Sequence, residues 1–333
     1  MHERCSVRRR GALLRIAAVC VAAAGLSAAV AACDTRGNRF GTVATAAASM
    51  GNADRPGWTL TWYDEFTDTI LNDGKWVAEE GNGFWNADSS AYVSGWGNDE
   101  LQCYTASPAN VRVRDGALRI IARRESVPNV SSRDRTDRCA YSSARLKTRA
   151  HDGRELFAQQ YGRIEFRARL PEGQGLWPAL WLLPLRDTYG TWAASGEIDV
   201  MEARGQNPQV VLGTLHYGGQ WPNNVHTGMD YTLPNNGRIS DWHVYAVEWS
   251  PKRIAWFVDD SLYQTQTDWY RGTDSTQKGR GTAPFDQPFY VVMNLAVGGR
   301  FLGAPDSTTK FPGEMQVDWV RVYEQQQQQE RKE

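Results

Sequence analysis

What most constrains this chain is the period of its apolar residues. Beyond residue 56 no window of 12 residues carries a convincing amphipathic helix pattern. The chain instead breaks into short segments of strand period or strand composition: Thr59–Trp62, Leu118–Ala122, Gly162–Arg169, Val244–Trp249, Ile254–Val258, Tyr290–Asn294 and Val317–Tyr323. Turn signals separate them, among them Arg114-Asp115-Gly116, Asn235-Asn236-Gly237 and Asp259-Asp260. A strand with one apolar face has to bury it against another layer, so many short strands predict an all-β fold. The expected architecture is a β-jelly-roll sandwich of two antiparallel sheets. Such sandwiches run to about 200–250 residues as one domain, so the length does not demand two.

The first 32 residues follow a different logic. Arg4, Arg8, Arg9 and Arg10 precede an almost unbroken apolar run from Ile16 to Ala32, the layout of an export signal. The run ends in Val30-Ala31-Ala32-Cys33, which resembles a bacterial lipobox, with Cys33 as the lipidation site. A plain secretory signal and an uncleaved anchor helix are the alternatives. No second apolar stretch approaches the ~20 residues of a membrane span. The expected organisation is therefore a lipoprotein-type signal over 1–32, a small, polar linker over 33–56, one domain over 57–324 and a Gln-rich disordered tail over 325–333. The protein is expected to be exported, as a cell-envelope lipoprotein or secreted, and to touch membrane only through the lipid anchor.

A net charge of -1, from 37 basic and 38 acidic residues, removes the polybasic surplus that phosphate binding needs, so no nucleic-acid partner is expected. Two of the five cysteines, Cys5 and Cys20, lie in the signal, and Cys33 is the lipid site. The remaining pair, Cys103 and Cys139, is expected to form a disulfide in an oxidising compartment, two buried thiols being the alternative. Nucleophile elbows, C-x-x-C, H-E-x-x-H and phosphate-loop motifs are missing from the sequence.

The segment that carries chemistry is Gly196-Glu197-Ile198-Asp199-Val200-Met201-Glu202. By the two-residue period of a strand, Glu197 and Asp199 share one face while Ile198 and Val200 point to the core. Glu202 then falls on the wrong face, unless a β-bulge around Val200-Met201 restores it. Three carboxylates on one surface repel unless a proton is shared. Glycoside hydrolysis with retention needs such a pair, about 5–5.5 Å apart, one attacking and one protonated. A solvated or calcium-binding acidic strand is the alternative.

Gly196–Gly205, GEIDVMEARG, resembles the bulged catalytic strand of glycoside hydrolase family 16. Further stretches match in order: Asp99–Gln102 with Tyr104-Thr105, Tyr161–Glu165, Gly175–Trp181, Thr214–Tyr217, Tyr245–Trp249, Asn294–Gly299 and Val317–Tyr323. The resemblance covers most of 58–324 and is greatest to bacterial laminarinases. It implies a concanavalin A-like sandwich whose concave face is the cleft, with Glu197 as nucleophile, Asp199 as assistant and Glu202 as acid/base. It departs at Trp192-Ala193-Ala194-Ser195, where laminarinases usually follow the tryptophan with proline, and at Cys103, often an aromatic residue.

The resemblance also implies a set of substrate contacts. Trp181 and Trp192 would line the negative subsites, and Asn98 matches a cleft asparagine. Arg167 and Glu165 share strand parity and are expected to face the cleft, a surface salt pair being the alternative. His216 would either bond a sugar hydroxyl near the cleavage point or sit satisfied by a backbone carbonyl, and His243 is expected to be structural. Core packing is expected for Trp177, Trp249, Trp256 and Trp319. No cofactor is required, but a structural calcium near Glu65 and Asp318 is open. The expected activity is endo-hydrolysis of 1,3-β-glucan by a monomer, with the β-glucan polysaccharide as partner. The same fold serves mixed-linkage glucan, agar, carrageenan and xyloglucan, and also non-catalytic β-glucan-binding modules, which typically lose one or more of the acids that this chain keeps.

Overall fold

A computed structural model describes residues 53–86 and 90–326; the expected signal over 1–32, Cys33, most of the expected linker and the end of the expected tail lie outside the described residues. Two sheets face one another. The smaller, seven-stranded sheet runs edge to edge as Asn224–Thr232, Val210–Gly218, Glu197–Ala203, Leu176–Pro184, Phe289–Val297, Arg145–Lys147 and Val77–Ala78. The larger, ten-stranded sheet runs Ser261–Gln266, Arg253–Val258, His243–Ser250, Gly162–Arg169, Gly313–Gln325, Ala117–Pro128, Arg138–Ser143 and Gln102–Tyr104. Trp58–Asp64 adds to the Gly313–Gln325 strand and Val111–Arg114 to Ala117–Pro128. Pairing is antiparallel except between Gln102–Tyr104 and Arg138–Ser143. A small hairpin, Gly83–Trp85 with Tyr92–Ser94, stands apart from both sheets. Three single-turn 3-10 helices are the only helical elements among the described residues.

Strand alternation builds the core between the sheets. Leu176, Leu180 and Leu182 of one layer meet a facing set that includes Ile164, Phe166 and Ala168. Each Leu, Ile or Phe among them contributes about 1.5–3 kcal/mol by leaving water. Trp249 and Trp256 are buried here, as expected. The complementary residues, Trp177, Ala179, Trp181 and Leu183, point away from the core and surface the free face of the seven-stranded sheet.

Two boundaries differ from expectation. Gln325, assigned to the tail, is the last residue of its strand and pairs with Trp58. At the other end, Arg55 of the expected linker reaches Glu165 at 2.5 Å and Asp260 at 3.0 Å. Ion pairing there fixes the chain before the first strand begins.

Candidate active site

The bulge forms where the acid spacing requires it. Against the neighbouring strand, Leu180 pairs with Met201 but Trp181 pairs with Asp199, leaving Val200 as the extra residue. Val200 and Met201 both enter the core, so Glu197, Asp199 and Glu202 share the open face. The irregular backbone is tied from below, where the indole N–H of Trp256 donates to the Asp199 carbonyl at 2.8 Å. Gly213 makes room for that indole: a β-carbon there would lie 2.2 Å from Trp256 Cδ1.

Each outer acid has its own indole donor. Trp192 Nε1 donates to Glu197 Oε2 at 2.7 Å, and Trp177 Nε1 donates to Glu202 Oε1 at 3.0 Å. His216, on the adjacent strand and paired with Glu197, places Nε2 3.3 Å from Asp199 Oδ2 and 3.8 Å from Glu197 Oε1. Burial raises all three carboxyls above their ordinary range. Asp199, also facing the Glu197 charge, reaches about 7. Glu202, also facing the Asp199 charge, reaches about 8. Glu197 is opposed in its rise by His216 and the Trp192 N–H. Burial works against charge on His216, but the three acids outweigh it and carry it up to about 9.

Near neutrality these shifts separate the roles. Glu202 holds a proton to give, while Glu197 faces an imidazolium and an indole donor that favour its ionised form. Glu197, Asp199 and His216 are the one cluster of metal-donor groups among the described residues, with donor atoms within 4.8 Å of one another. Protonated His216 has no lone pair to offer an ion.

Beyond the acids a polar chain crosses the sheet. Trp181 Nε1 donates to Asn294 Oδ1 at 2.7 Å, Asn294 Nδ2 donates to the Tyr104 hydroxyl at 3.1 Å, and that hydroxyl donates to Glu100 at 3.1 Å. Gln102 and Asn98 also donate to Glu100, so Asn98 sits at the end of this chain on an exposed rim. The Arg145 guanidinium lies between the Trp96 and Trp181 rings at 4.5 and 4.7 Å. On the other side of Glu202, Trp177 packs on Phe301, over which Arg204 stacks at 3.9 Å.

Several expectations need correction. Glu165 and Arg167 do share a face, but of the other sheet, since Gly162–Arg169 pairs within the ten-stranded layer. There Glu165 bonds Arg163 and Arg55, and Arg167 pairs with Asp318 at 2.6 Å. Parity fixes which residues share a face, not which sheet a strand joins. Glu65 and Asp318 do not fit a calcium site: Arg321 occupies both Glu65 oxygens at 2.7 and 2.9 Å, and Arg167 holds Asp318. Trp177, expected in the core, lines the cleft. The parity it shares with Trp181 carried that signal, as both are odd positions of one strand. Trp319, also expected in the core, lies on the outer face of the larger sheet against Arg321, at 4.1 Å. Glu100, Tyr104 and Asn294 stand in the sequence only within family-like stretches and Arg145 in none, because the folded sheet order alone brings them beside Trp181. His243 is buried against Asp259, a structural role. Cys103 and Cys139 are joined in a buried disulfide.

Comparison with known proteins places this geometry. The family model for glycosyl hydrolases family 16 matches residues 97–321. A glucan endo-1,3-beta-glucosidase A1 of Niallia circulans is 46% identical over 84% of this chain, which spans only 40% of that relative. A beta-glucanase of Rhodothermus marinus is 43% identical over 83% of this chain and 90% of its own length. The laminarinase catalytic domain of Thermotoga maritima superposes with a TM-score of 0.69 at 36% identity, covering 81% of this chain and 99% of that domain. With the bulged strand, its three acids and the two-sheet sandwich accounted for, this chain belongs to glycoside hydrolase family 16.

Proposed function

We propose that the protein is a retaining endo-1,3-β-glucanase acting on laminarin-like glucan. One observation carries the reading: the bulge at Val200 brings Glu197, Asp199 and Glu202 to one cleft face with separate donors on the two outer acids. A Glu197 carboxylate oxygen attacks the anomeric carbon while Glu202 protonates the departing glycosidic oxygen, leaving a glycosyl ester on Glu197. Water then gives its proton to the Glu202 carboxylate and adds to the same carbon, freeing Glu197 with net retention. Asp199 and His216 set the protonation of the pair. The relatives named for 1,3-β-glucan hydrolysis support the substrate class.

The test is product analysis with laminarin, lichenan, agarose and xyloglucan offered in parallel. Short oligosaccharides from laminarin, with the β-anomer formed first, are expected. Release from another polymer alone would overturn the substrate, and silence from folded protein would overturn the activity. Two carboxyls suffice for this chemistry, so turnover is expected to survive EDTA.

We further propose that the domain is a monomer exported as a lipoprotein through Cys33. No helix among the described residues is long and apolar enough to cross a membrane. Membrane fractionation of wild type and Cys33→Ala tests the anchor; a wild type recovered wholly in the soluble fraction would refute it. Light scattering on the soluble domain reads the oligomeric state, and a dimer mass would refute the monomer.

A further inference from the structure

A second cavity, of about 320 Å³, lies away from the acids and plays no part in the mechanism above. Phe84, Trp96 and Val130 supply its apolar lining, and Glu80, Ser131 and His151 its polar one. Its volume falls at the lower end of the ~300–1,000 Å³ typical of small-ligand sites. Phe84 and Val130 are 45% and 64% exposed, so the site offers an open apolar surface rather than a closed core.

Its position is set by the sheet. Arg145 stands three strands from the catalytic strand, about 14 Å at ordinary strand spacing. Trp181, Arg145 and Trp96 stack in succession across that distance, so an unbroken row of flat groups leads from beside Asp199 to the cavity wall. Trp96 is held there firmly: its backbone takes φ 52, in the left-handed region, and its ring packs on Tyr104. Glu79, at the same wall, is occupied by Arg145 and Lys147. Glu80 is exposed and makes no hydrogen bond or ion pair with the described residues.

The lining selects a chemical class. Aromatic faces take the apolar face of a pyranose, and a free carboxylate accepts hydrogen bonds from its hydroxyls. With Glu79 neutralised by Arg145 and Lys147, the unpaired carboxylate of the lining is that of Glu80, which suits the hydroxyls of an uncharged sugar better than a sulfate or a uronate. We propose that this cavity is a distal sugar site, holding a glucosyl unit of the same glucan chain several units from the scissile bond. The proposal rests on the glucanase reading for its ligand.

Kinetics on laminarin and on laminaritriose, for wild type, Phe84→Ala and Glu80→Gln, tests it. Phe84→Ala is expected to raise KM for the polymer about 5-fold, with kcat unchanged and no effect on the trisaccharide; Glu80→Gln should raise it about 3-fold. Equal effects on long and short substrates, or none, would overturn the proposal. Calorimetric binding of laminarihexaose to Glu197→Gln, with and without Phe84→Ala, gives a readout independent of turnover. About 5-fold weaker binding in the double variant supports the site, and unchanged binding overturns it even if the wild type proves inert. Wild-type silence on all glucans would by itself sink only the hydrolase reading.

Discussion

Trp177 and Glu202 are joined by a 3.0 Å hydrogen bond from indole N–H to carboxyl oxygen, reaching from one strand to the next across the floor of the cleft. That donor favours the ionised form of Glu202, opposing the rise caused by burial and Asp199. Trp177→Phe removes it while keeping most of the ring. The Glu202 pKa should then climb from about 8, by up to about one unit for a bond of this kind. The alkaline limb of kcat/KM, where the proton donor is lost, should move upward by the same amount. An unmoved limb would refute Glu202 as the group it reports.

Glu197→Gln and Glu202→Gln should each lower kcat on laminarin by on the order of 10³-fold or more. Azide separates their roles. It should restore turnover of a substrate with a good leaving group to Glu202→Ala and yield the β-glycosyl azide, because the glycosyl ester still forms. With Glu197→Ala the α-azide is expected, since azide then replaces the nucleophile. The reverse stereochemistry would exchange the assignments.

Stability should fall toward alkaline pH. Between the ordinary carboxylate range and about 7 to 8, folded Asp199 and Glu202 hold protons that the unfolded chain has released, so each rise in pH favours unfolding. His216 acts in the same direction: its contribution is full below about 6.5 and lost as pH rises through about 9. The melting temperature should therefore decline from pH 6 to 10, and Glu202→Gln should flatten the decline. A profile as steep in the variant as in the wild type would count against this coupling.

Arg167→Ala should leave KM and kcat for laminarin unchanged, because its partner Asp318 lies with it on the sheet opposite the acids. A partly exposed ion pair of this kind is worth about 0.5–1 kcal/mol, readable as a small shift in urea midpoint. A several-fold rise in KM would contradict the placement.

Replacing Cys103 and Cys139 together by Ser should cost about 2–4 kcal/mol in denaturant titration. Cys103 lies between Gln102 and Tyr104, both of which bond Glu100, so the variant should also bind laminarihexaose more weakly. Unaltered stability would show the bridge to be dispensable.

The fold class was legible because strand period is a local property, and the bulge was legible because three acids at this spacing need it to share a face. Which sheet a strand joins is not local. Glu165 and Arg167 carry the same alternation as a cleft strand, and only the pairing of Gly162–Arg169 with His243–Ser250 and Gly313–Gln325 puts them on the far layer. Trp177 and Arg145 show a different limit. An aromatic or a long basic side chain on a strand looks the same in sequence whether it faces core, cleft or solvent, and the distinction follows from what packs above it.

The extra residue at Val200 has an arithmetic consequence. On a flat strand, acids at intervals of two would already line up, so deleting Met201 would shorten the spacing from Glu197 to Glu202 and restore regular pleating without reversing the side of any carboxylate. Deleting Ile198 would instead turn Glu197 inward. Along these seven residues, tolerance to loss should be confined to the bulge: removing either Val200 or Met201 keeps the three carboxylates on one side, while removing Ile198 does not.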